Sequence, residues 1–336
     1  MRLEVKRFIL FIVFLLSIAL VIAALFSIDD IIEKGKAEDG HETETHRSAT
    51  DLKNEMDTVY IDGVAYLPRK SVKNYLIIGV DEFGDSDDSG TAQADFIMVL
   101  SFNSEDNSYK LLSVNRDTMT KVDVYDIFGN KYTERVEQIA LSHAYGSPFE
   151  ISNSQKCKNT LKATSNLLYG LDFESYISMT MDAVSEMVDF VGGIPVLIED
   201  DMSVIDSRLV QGETVLLDGE LALKYIRARG SMADSSNLAR MERQKIFLEA
   251  FIQKLGEKKP DEDDLLQCYQ SISSYIVTDS GIEVLEDITD KLSDYTYDGA
   301  VAIPGEARSG EVYMEFYVDE EGMKGVVTDV FYTKAK

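Results

Sequence analysis

The chain is poor in the residues that build the commoner catalytic and metal centres. It has two cysteines, Cys157 and Cys268, and three scattered histidines, His41, His46 and His143, in 336 residues. There is no Cys-x-x-Cys pair, which argues against a structural zinc site. No Ser-His-Asp or Cys-His set is visible, and His143, alone in the part expected to fold, reads as structural. No glycine-rich stretch has P-loop spacing, and no internal repeat occurs. The cysteines either pair outside the cytoplasm or remain buried thiols, because sequence alone does not place their Cα atoms at bonding distance.

Positive charge is also scarce. Sixty acidic residues stand against 33 basic ones, for a formal net charge of -27. Nucleic-acid binding rests on neutralising phosphates with Lys and Arg, so no nucleic-acid partner is expected. The plain reading of the acidity is a self-repelling, soluble surface. Any anionic ligand needs a local cluster of arginine. With 45% hydrophobic residues, the chain has the means to build a core and is not compositionally disordered.

What is present begins with one long apolar run, residues 8–26. At ~1.5 Å per residue it just spans a hydrocarbon core of ~30 Å. Arg2, Lys6 and Arg7 precede it; Asp29, Asp30 and Glu33 follow. Positive-inside then predicts a single-pass membrane protein with residues 1–7 in the cytoplasm and its main domain outside the cell. A cleaved signal peptide fits less well, since no small-residue cleavage site follows the run. Residues 27–70 read as an acidic linker and lead-in, and 71–336 as the folded domain.

In that domain, apolar runs at 74–80, 95–102 and 109–114 read as strands, the last two joined by a turn at 103–107. Helical spacing predicts a helix over 158–169 that stops at Gly170. A strand at 176–181 precedes a helix capped by Asp182, and Asp218 caps another. A long amphipathic helix covers 238–255, helical stretches follow near 261–276 and 281–293, and late strands are read at 297–303 and 312–317. Alternating helices and strands give an α/β fold: a central mixed β-sheet flanked by helices on both faces, preceded by the transmembrane helix.

Three features carry candidate chemistry. Asp81 and Asp95 lie at the ends of adjacent expected strands; each is either a turn residue or half of a site for one hard cation such as Mg²⁺. Arg116 and Asp117 follow a strand directly, where Arg116 is either a surface charge or one prong of a phosphate clamp. Residues 227–244 gather Arg227, Arg229, Asp234, Arg240, Arg243 and Gln244. Arg240 and Gln244 share a helix face. This excess of Arg in so acidic a chain points to an anion site, and the chemistry suggested is metal- and arginine-assisted work on a phosphate or pyrophosphate.

These stretches together resemble the LytR–CpsA–Psr family of cell-envelope proteins. The likeness runs through residues 76–81 (LIIGVD), 93–99 (QADFIMV), 113–118 (SVNRDT), 188–194 (VDFVGGI), 217–229 (LDGELALKYIRAR) and 240–244 (RMERQ). Each motif is weak alone; their order and spacing are specific. The resemblance implies a membrane-anchored phosphotransferase. It would move a glycosyl phosphate from a polyprenyl-pyrophosphate-linked glycan to a peptidoglycan hydroxyl. It further implies that Asp81 and Asp95 hold Mg²⁺ and that Arg116, Arg227, Arg229, Arg240 and Gln244 grip the pyrophosphate. A hydrophobic tunnel would take the lipid tail, and Asp117 and Asp234 are the candidates for general base. Two departures stand out. Gln93 occupies a position where the family often has Arg, and Ala140 falls where it has a phosphate-binding Lys. They leave open a second function, a non-catalytic binding or scaffold protein for lipid-linked envelope precursors. A direct role in transcription is disfavoured by charge and by the lack of a helix-turn-helix.

Overall fold

A computed structural model describes residues 58–81, 92–147, 152–228 and 237–335. The apolar run 8–26, most of the acidic linker, Arg229 and Asp234 lie outside these residues. Among the described residues, no helix is long and apolar enough to cross a membrane. The early strands are β1 (Val59–Ile61), β2 (Val64–Pro68), β3 (Val72–Val80), β4 (Ala94–Asn103), β5 (Ser108–Val114), β6 (Met119–Tyr125) and β7 (Lys131–Gln138). Helices α1 (Leu141–Gly146) and α2 (Asn153–Leu167) follow, then β8 (Ser175–Thr180), α3 (Met181–Phe190), β9 (Ile194–Leu197) and β10 (Thr214–Leu217). The remainder is α4 (Gly219–Arg227), α5 (Asn237–Lys258), α6 (Glu262–Ile272), β11 (Ile276–Thr278), α7 (Ile282–Asp294), β12 (Thr296–Ala302), β13 (Gly305–Ser309), β14 (Met314–Val318), α8 (Glu320–Phe331) and β15 (Tyr332–Lys334).

The central sheet has six strands in the order β11-β8-β3-β4-β5-β12. Strands β3, β4 and β5 run antiparallel, whereas β8 lies parallel to β3 and β12 parallel to β5. The sheet is therefore mixed, as the alternation of elements predicts. Side chains alternate across it. Leu76, Ile78, Val80, Ile97, Val99, Leu112 and Val114 pack with Cys157 and Ala163 of α2 and with Met323, Val327 and Phe331 of α8. The alternate set, Tyr75, Met98, Leu100 and Leu111, meets Ile252 of α5 and Ile288 and Leu292 of α7. Helices cover both faces.

A further apolar cluster joins α3, α4 and α5 to β9 and β10 through Val188, Leu217, Leu221, Tyr225 and Phe247. Asp218 caps α4 as expected, accepting from the Leu221 amide at 2.8 Å. Its neighbour must be glycine: a Cβ on Gly219 would lie 2.5 Å from the Ser185 carbonyl oxygen.

The structure corrects several expectations. The cap of α3 is Thr180, because β8 runs to that residue, and Asp182 sits in the first turn instead, where its charge favours the helix dipole. The segment read as lead-in contributes β1 and β2, and β2 pairs with β15 at the far end of the chain; Ile61 and Tyr66 are buried against the α2–α8 side of the core. Ordered structure thus begins ahead of residue 71. Two hairpins, β6–β7 and β13–β14, were not anticipated as such, and a bridge from Thr118 to Phe316 links them. On β6, Asp123 is buried and accepts from Lys131 and Lys162, both at 2.5 Å. Burial opposes its ionisation, but the two ammonium groups prevail and hold the carboxyl below its usual range. Cys157 and Cys268 are both free thiols, so the disulfide alternative falls. His143 is fully buried, its Nδ1 2.9 Å from the Ala92 carbonyl oxygen, which fits a structural histidine.

Candidate functional site

The site is built at one end of the β3–β4–β5 meander. The β4–β5 register pairs Ile97 with Val114. Continued two residues outward, the same register sets Asp95 opposite Arg116. Between the Gly79–Phe96 and Val80–Ala94 pairs the β3–β4 register shifts, and Asp95 is the extra residue. Bulges re-aim side chains in this way and recur beside active sites. Asp81 follows directly on Val80, so it lies at the same sheet end, exposed.

Arg116 stands on a tight turn. The Asn115 carbonyl accepts from the Thr118 amide at 3.0 Å, and the Asn115 side chain accepts from the Asp117 amide at 2.9 Å. Such Asx geometry fixes the chain locally. The Arg116 guanidinium forms an ion pair with Asp95 through Nη1, donates from Nη2 to Gln93 Oε1 at 2.5 Å, and has Nε 3.4 Å from Asp117. The side chains of Arg116 and Asp95 are 16% and 10% exposed. An ion pair this deep is costly to break, because either partner alone is an uncompensated buried charge. Gln138 extends the network, donating from Nε2 to Asp117 at 3.1 Å and to the Met314 carbonyl oxygen at 2.7 Å.

Two cavities meet beside this network. A small one is lined by Asp95, Phe96, Ser113, Arg116, Met241 and Gln244. A larger, apolar cavity of about 190 Å³ runs between the sheet and α3, α5, α6 and α7, lined by Ile77, Gly79, Val184, Phe247, Ile252 and Ile288 among others. Phe96 and Gln244 border both. Gln244 is 6% exposed, and its Oε1 is buried without a hydrogen-bond partner, so it has an acceptor to spare at the junction. A charged pocket thus adjoins an apolar one, an arrangement suited to a ligand with an anionic head and a hydrocarbon tail.

The fold brings Gln93, Asp95, Arg116, Asp117 and Gln244 together. Arg240, 5% exposed, lies one turn before Gln244 on α5. Arg227 is exposed at the end of α4, next to Ile226, which lines the apolar cavity. Among the described residues no bond joins Arg227 to the Arg116 network. Asp81 and Asp95 are oxygen donors at one sheet end, and among the described residues no group of three His, Cys, Asp or Glu is placed to hold a metal. Two carboxylates with the remaining positions left to phosphate and water is a donor set that suits Mg²⁺.

The sequence reading missed Gln138, and it gave no role to Arg243. Arg243 is 5% exposed and donates from Nη2 to the Ala228 carbonyl oxygen at 2.9 Å, with Nη1 3.8 Å from Asp200. It ties α5 to the residue that follows Arg227. Ala140, fully buried, accepts from the Ala94 amide and donates to the Arg116 carbonyl oxygen, both at 3.1 Å. The position matched to a family lysine therefore lies against the backbone of Arg116.

The domain is α/β, with an arginine and carboxylate cluster next to an apolar cavity. The LytR_cpsA_psr family model matches residues 32–328, and the chain belongs to that family. A relative from Halalkalibacterium halodurans, named polyisoprenyl-teichoic acid–peptidoglycan teichoic acid transferase TagU, is 28% identical over 182 residues, 54% of this chain and 53% of that protein. The Bacillus mycoides protein of the same name is 26% identical over 206 residues, 60% of this chain and 59% of its own. The chain spans little more than half the length of these curated relatives. Among solved structures, TagT bound to LI-WTA aligns with a TM-score of 0.58 at 19% identity, covering 78% of this chain and 90% of that one. TagV from B. subtilis aligns with a TM-score of 0.60 at 20% identity, covering 78% and 96%. At these identities the structures establish the fold.

Proposed function

We propose that the protein is a membrane-anchored transferase that moves a glycosyl phosphate from a polyprenyl-pyrophosphate-linked glycopolymer to a hydroxyl of peptidoglycan. The observation that carries this reading is the junction at Phe96 and Gln244, where the Arg116–Asp95 pocket meets the apolar cavity. The cavity takes hydrocarbon, since burial of apolar surface is worth ~25 cal/mol per Å². Arg116 and Arg240, joined by Arg227 and Arg229, offset the charge of the pyrophosphate. Gln244 orients it. Asp81 and Asp95 would hold Mg²⁺, which when bound stabilises negative charge on the phosphate oxygens. Asp117 and Asp234 are the candidates for accepting the proton of the attacking hydroxyl. The run 8–26 anchors the chain with its domain outside the cell, and the names of the family relatives support both glycopolymer and acceptor.

One observation favours the scaffold reading. Gln93 accepts from Arg116 where the family often places another cation, and Ala140 offers none. With fewer positive charges at the pyrophosphate, binding without transfer becomes a coherent alternative. Incubating the full chain in detergent with labelled lipid-linked glycan, peptidoglycan and Mg²⁺ decides between them. Transfer predicts label on the peptidoglycan and free polyprenyl phosphate. Saturable binding of the lipid with no label transferred selects the scaffold, and neither binding nor transfer removes both.

A further inference from the structure

The central sheet changes polarity along one of its faces. Toward the Arg116 end, the face covered by α2 and α8 presents Ile97 and Val99 of β4 and Leu112 and Val114 of β5, all buried in the apolar core. Beyond Val99 and Leu112, away from Arg116, the same face continues as Ser101 and Asn103 on β4 and as Lys110 and Ser108 on β5. The β4–β5 register sets Ser101 opposite Lys110 and Asn103 opposite Ser108. Strand alternation keeps these side chains on one side of the sheet, yet none of them is apolar. Polar groups taken out of water cost free energy unless they are bonded, so this end of the face needs partners that the core does not supply.

These residues line a cavity of about 210 Å³, together with Arg69 from the turn between β2 and β3, Asp298 of β12 and Asp329 of α8. Asp95 and Asn103 stand eight residues apart on β4, roughly 25 Å at ~3.3 Å per residue, so the cavity is remote from the Arg116 site. Its polar walls are fixed from behind. The Ser101 hydroxyl donates to Asn74 Oδ1 at 2.8 Å, and the Asn74 side chain donates to the Asp172 carbonyl oxygen at 3.2 Å. Asn103 Oδ1 accepts from the Glu105 amide at 3.1 Å, which leaves its NH2 donors. Asp106, also in the lining, accepts at Oδ1 from the Ser108 amide and hydroxyl at 3.1 and 2.7 Å, which leaves Oδ2. Lys110 pairs with Asp298 at 3.0 Å. Arg69 is fastened by its backbone: its amide donates to the Phe331 carbonyl oxygen at 2.8 Å, and its carbonyl oxygen accepts from the Val72 amide at 3.0 Å. Its guanidinium Nε is buried without a hydrogen-bond partner. Among the described residues, neither Arg69 nor Asp329 forms an ion pair, although both line this one cavity.

The charges select the ligand. Lys110 and Asp298 offset each other, which leaves Arg69 against Asp106 and Asp329. A phosphate or other anion would face a net negative wall. A metal ion would face the guanidinium, and among the described residues no group of three metal-ligating side chains forms. A hydroxyl both donates and accepts, so a ring bearing several of them accepts from Arg69 and Asn103 while donating to Asp106 and Asp329. We propose that this cavity is a second binding site, remote from the Arg116 pocket, for a neutral monosaccharide unit whose hydroxyls are gripped by Arg69 and Asp329. The site goes beyond the transferase reading and stands independently of it, because it binds sugar whether or not transfer occurs.

The test is saturation-transfer NMR on the full chain, in a detergent without a sugar headgroup, with glucose, galactose, mannose and N-acetylglucosamine at millimolar concentration. The wild type binds at least one of them. Asp329→Asn keeps the shape of the side chain, removes its charge and weakens that binding about tenfold, the worth of one hydrogen bond to a charged group. Arg69→Gln has an effect of the same size. Glu321→Gln is the control: it lies toward the other end of α8 with its side chain 84% exposed, and it leaves binding unchanged. Thermal midpoints measured without sugar show that each variant is folded, and Asp329→Asn, a change at an exposed position, carries the test if Arg69→Gln is not. Inorganic phosphate and Ca²⁺ are titrated alongside. Binding of either ion in preference to the sugars overturns the proposal. So does a wild type that binds none of the four sugars, or sugar binding that is indifferent to Asp329→Asn.

Discussion

The two faces of the central sheet are made from the same strands, yet they are filled differently. On the face toward α2 and α8, Leu76, Ile78, Val80 and Val99 are fully buried in an apolar cluster. On the face toward α5 and α7, their alternates Ile77 and Gly79 line the apolar cavity. A Cβ at Gly79 would come within 2.9 Å of the Phe96 Cβ, so the smallest residue is kept where strands, cavity and site meet. Interiors normally pack to the density of organic crystals. A face that does not do so gives up dispersion energy, and in this chain the deficit lies next to the Arg116 pocket. The contrast separates a face that stabilises the domain from one that leaves room for a ligand tail.

Truncation of neighbouring residues tests that contrast most strongly. Leu76→Ala should destabilise the domain by about 3–4 kcal/mol, the loss of transfer energy plus a new cavity. Ile77→Ala, one residue away, removes a side chain that already borders empty space, and about 1 kcal/mol is expected. Urea midpoints of the two variants measure the difference. Equal losses would mean that the cavity face is as tightly packed as the other.

Enlargement gives the smaller, inverse effect. Val99→Phe forces bulk into the filled face and should cost about 1–3 kcal/mol. Val184→Phe points the same added bulk at the cavity and should change stability by less than about 1 kcal/mol, while lowering affinity for long-chain polyprenyl pyrophosphate. If Val184→Phe destabilises as much as Val99→Phe, the cavity has no room for a ligand.

Much of this was legible before the fold was known, where the signal was local. The apolar runs at 74–80, 95–102 and 109–114 gave β3, β4 and β5 nearly to their ends, and the hairpin register alone sets Asp95 opposite Arg116. Asp218 was readable as a cap because it directly precedes a helical pattern. Asp182 was not, because β8 continues to Thr180 and the last strand residue takes the cap position. The β6–β7 hairpin carries charged and apolar residues on its exposed side, so its period-two pattern is diluted, and Gln138 went unnoticed with it. Its contact with Met314 spans 176 residues, a distance that no local pattern encodes. Arg243 stood in plain sight in the motif, but its role depends on the Ala228 carbonyl oxygen, a backbone group without a sequence signature.

The two cysteines offer the mildest probe of the same contrast. Cys157 is fully buried in the filled face, and burial pushes its thiol up to about 11. Cys268 is half-buried on α6, the helix whose Ile272 lines the cavity, and burial pushes its thiol up to about 11 as well. The thiolate is the nucleophile, so both should be poorly reactive toward iodoacetamide at neutral pH. They should differ in what exposes them. A residue in the filled core reacts only through openings close to global unfolding, whereas one beside a loosely packed face reacts through local openings. Cys268 should therefore be alkylated first in the native protein, with Cys157 modified at the rate of global unfolding. Mass spectrometry of tryptic peptides over a time course measures both rates, and non-reducing and reducing digests should give the same two free-thiol peptides. Modification of Cys157 before Cys268 would reverse the assignment of the rigid and the yielding face.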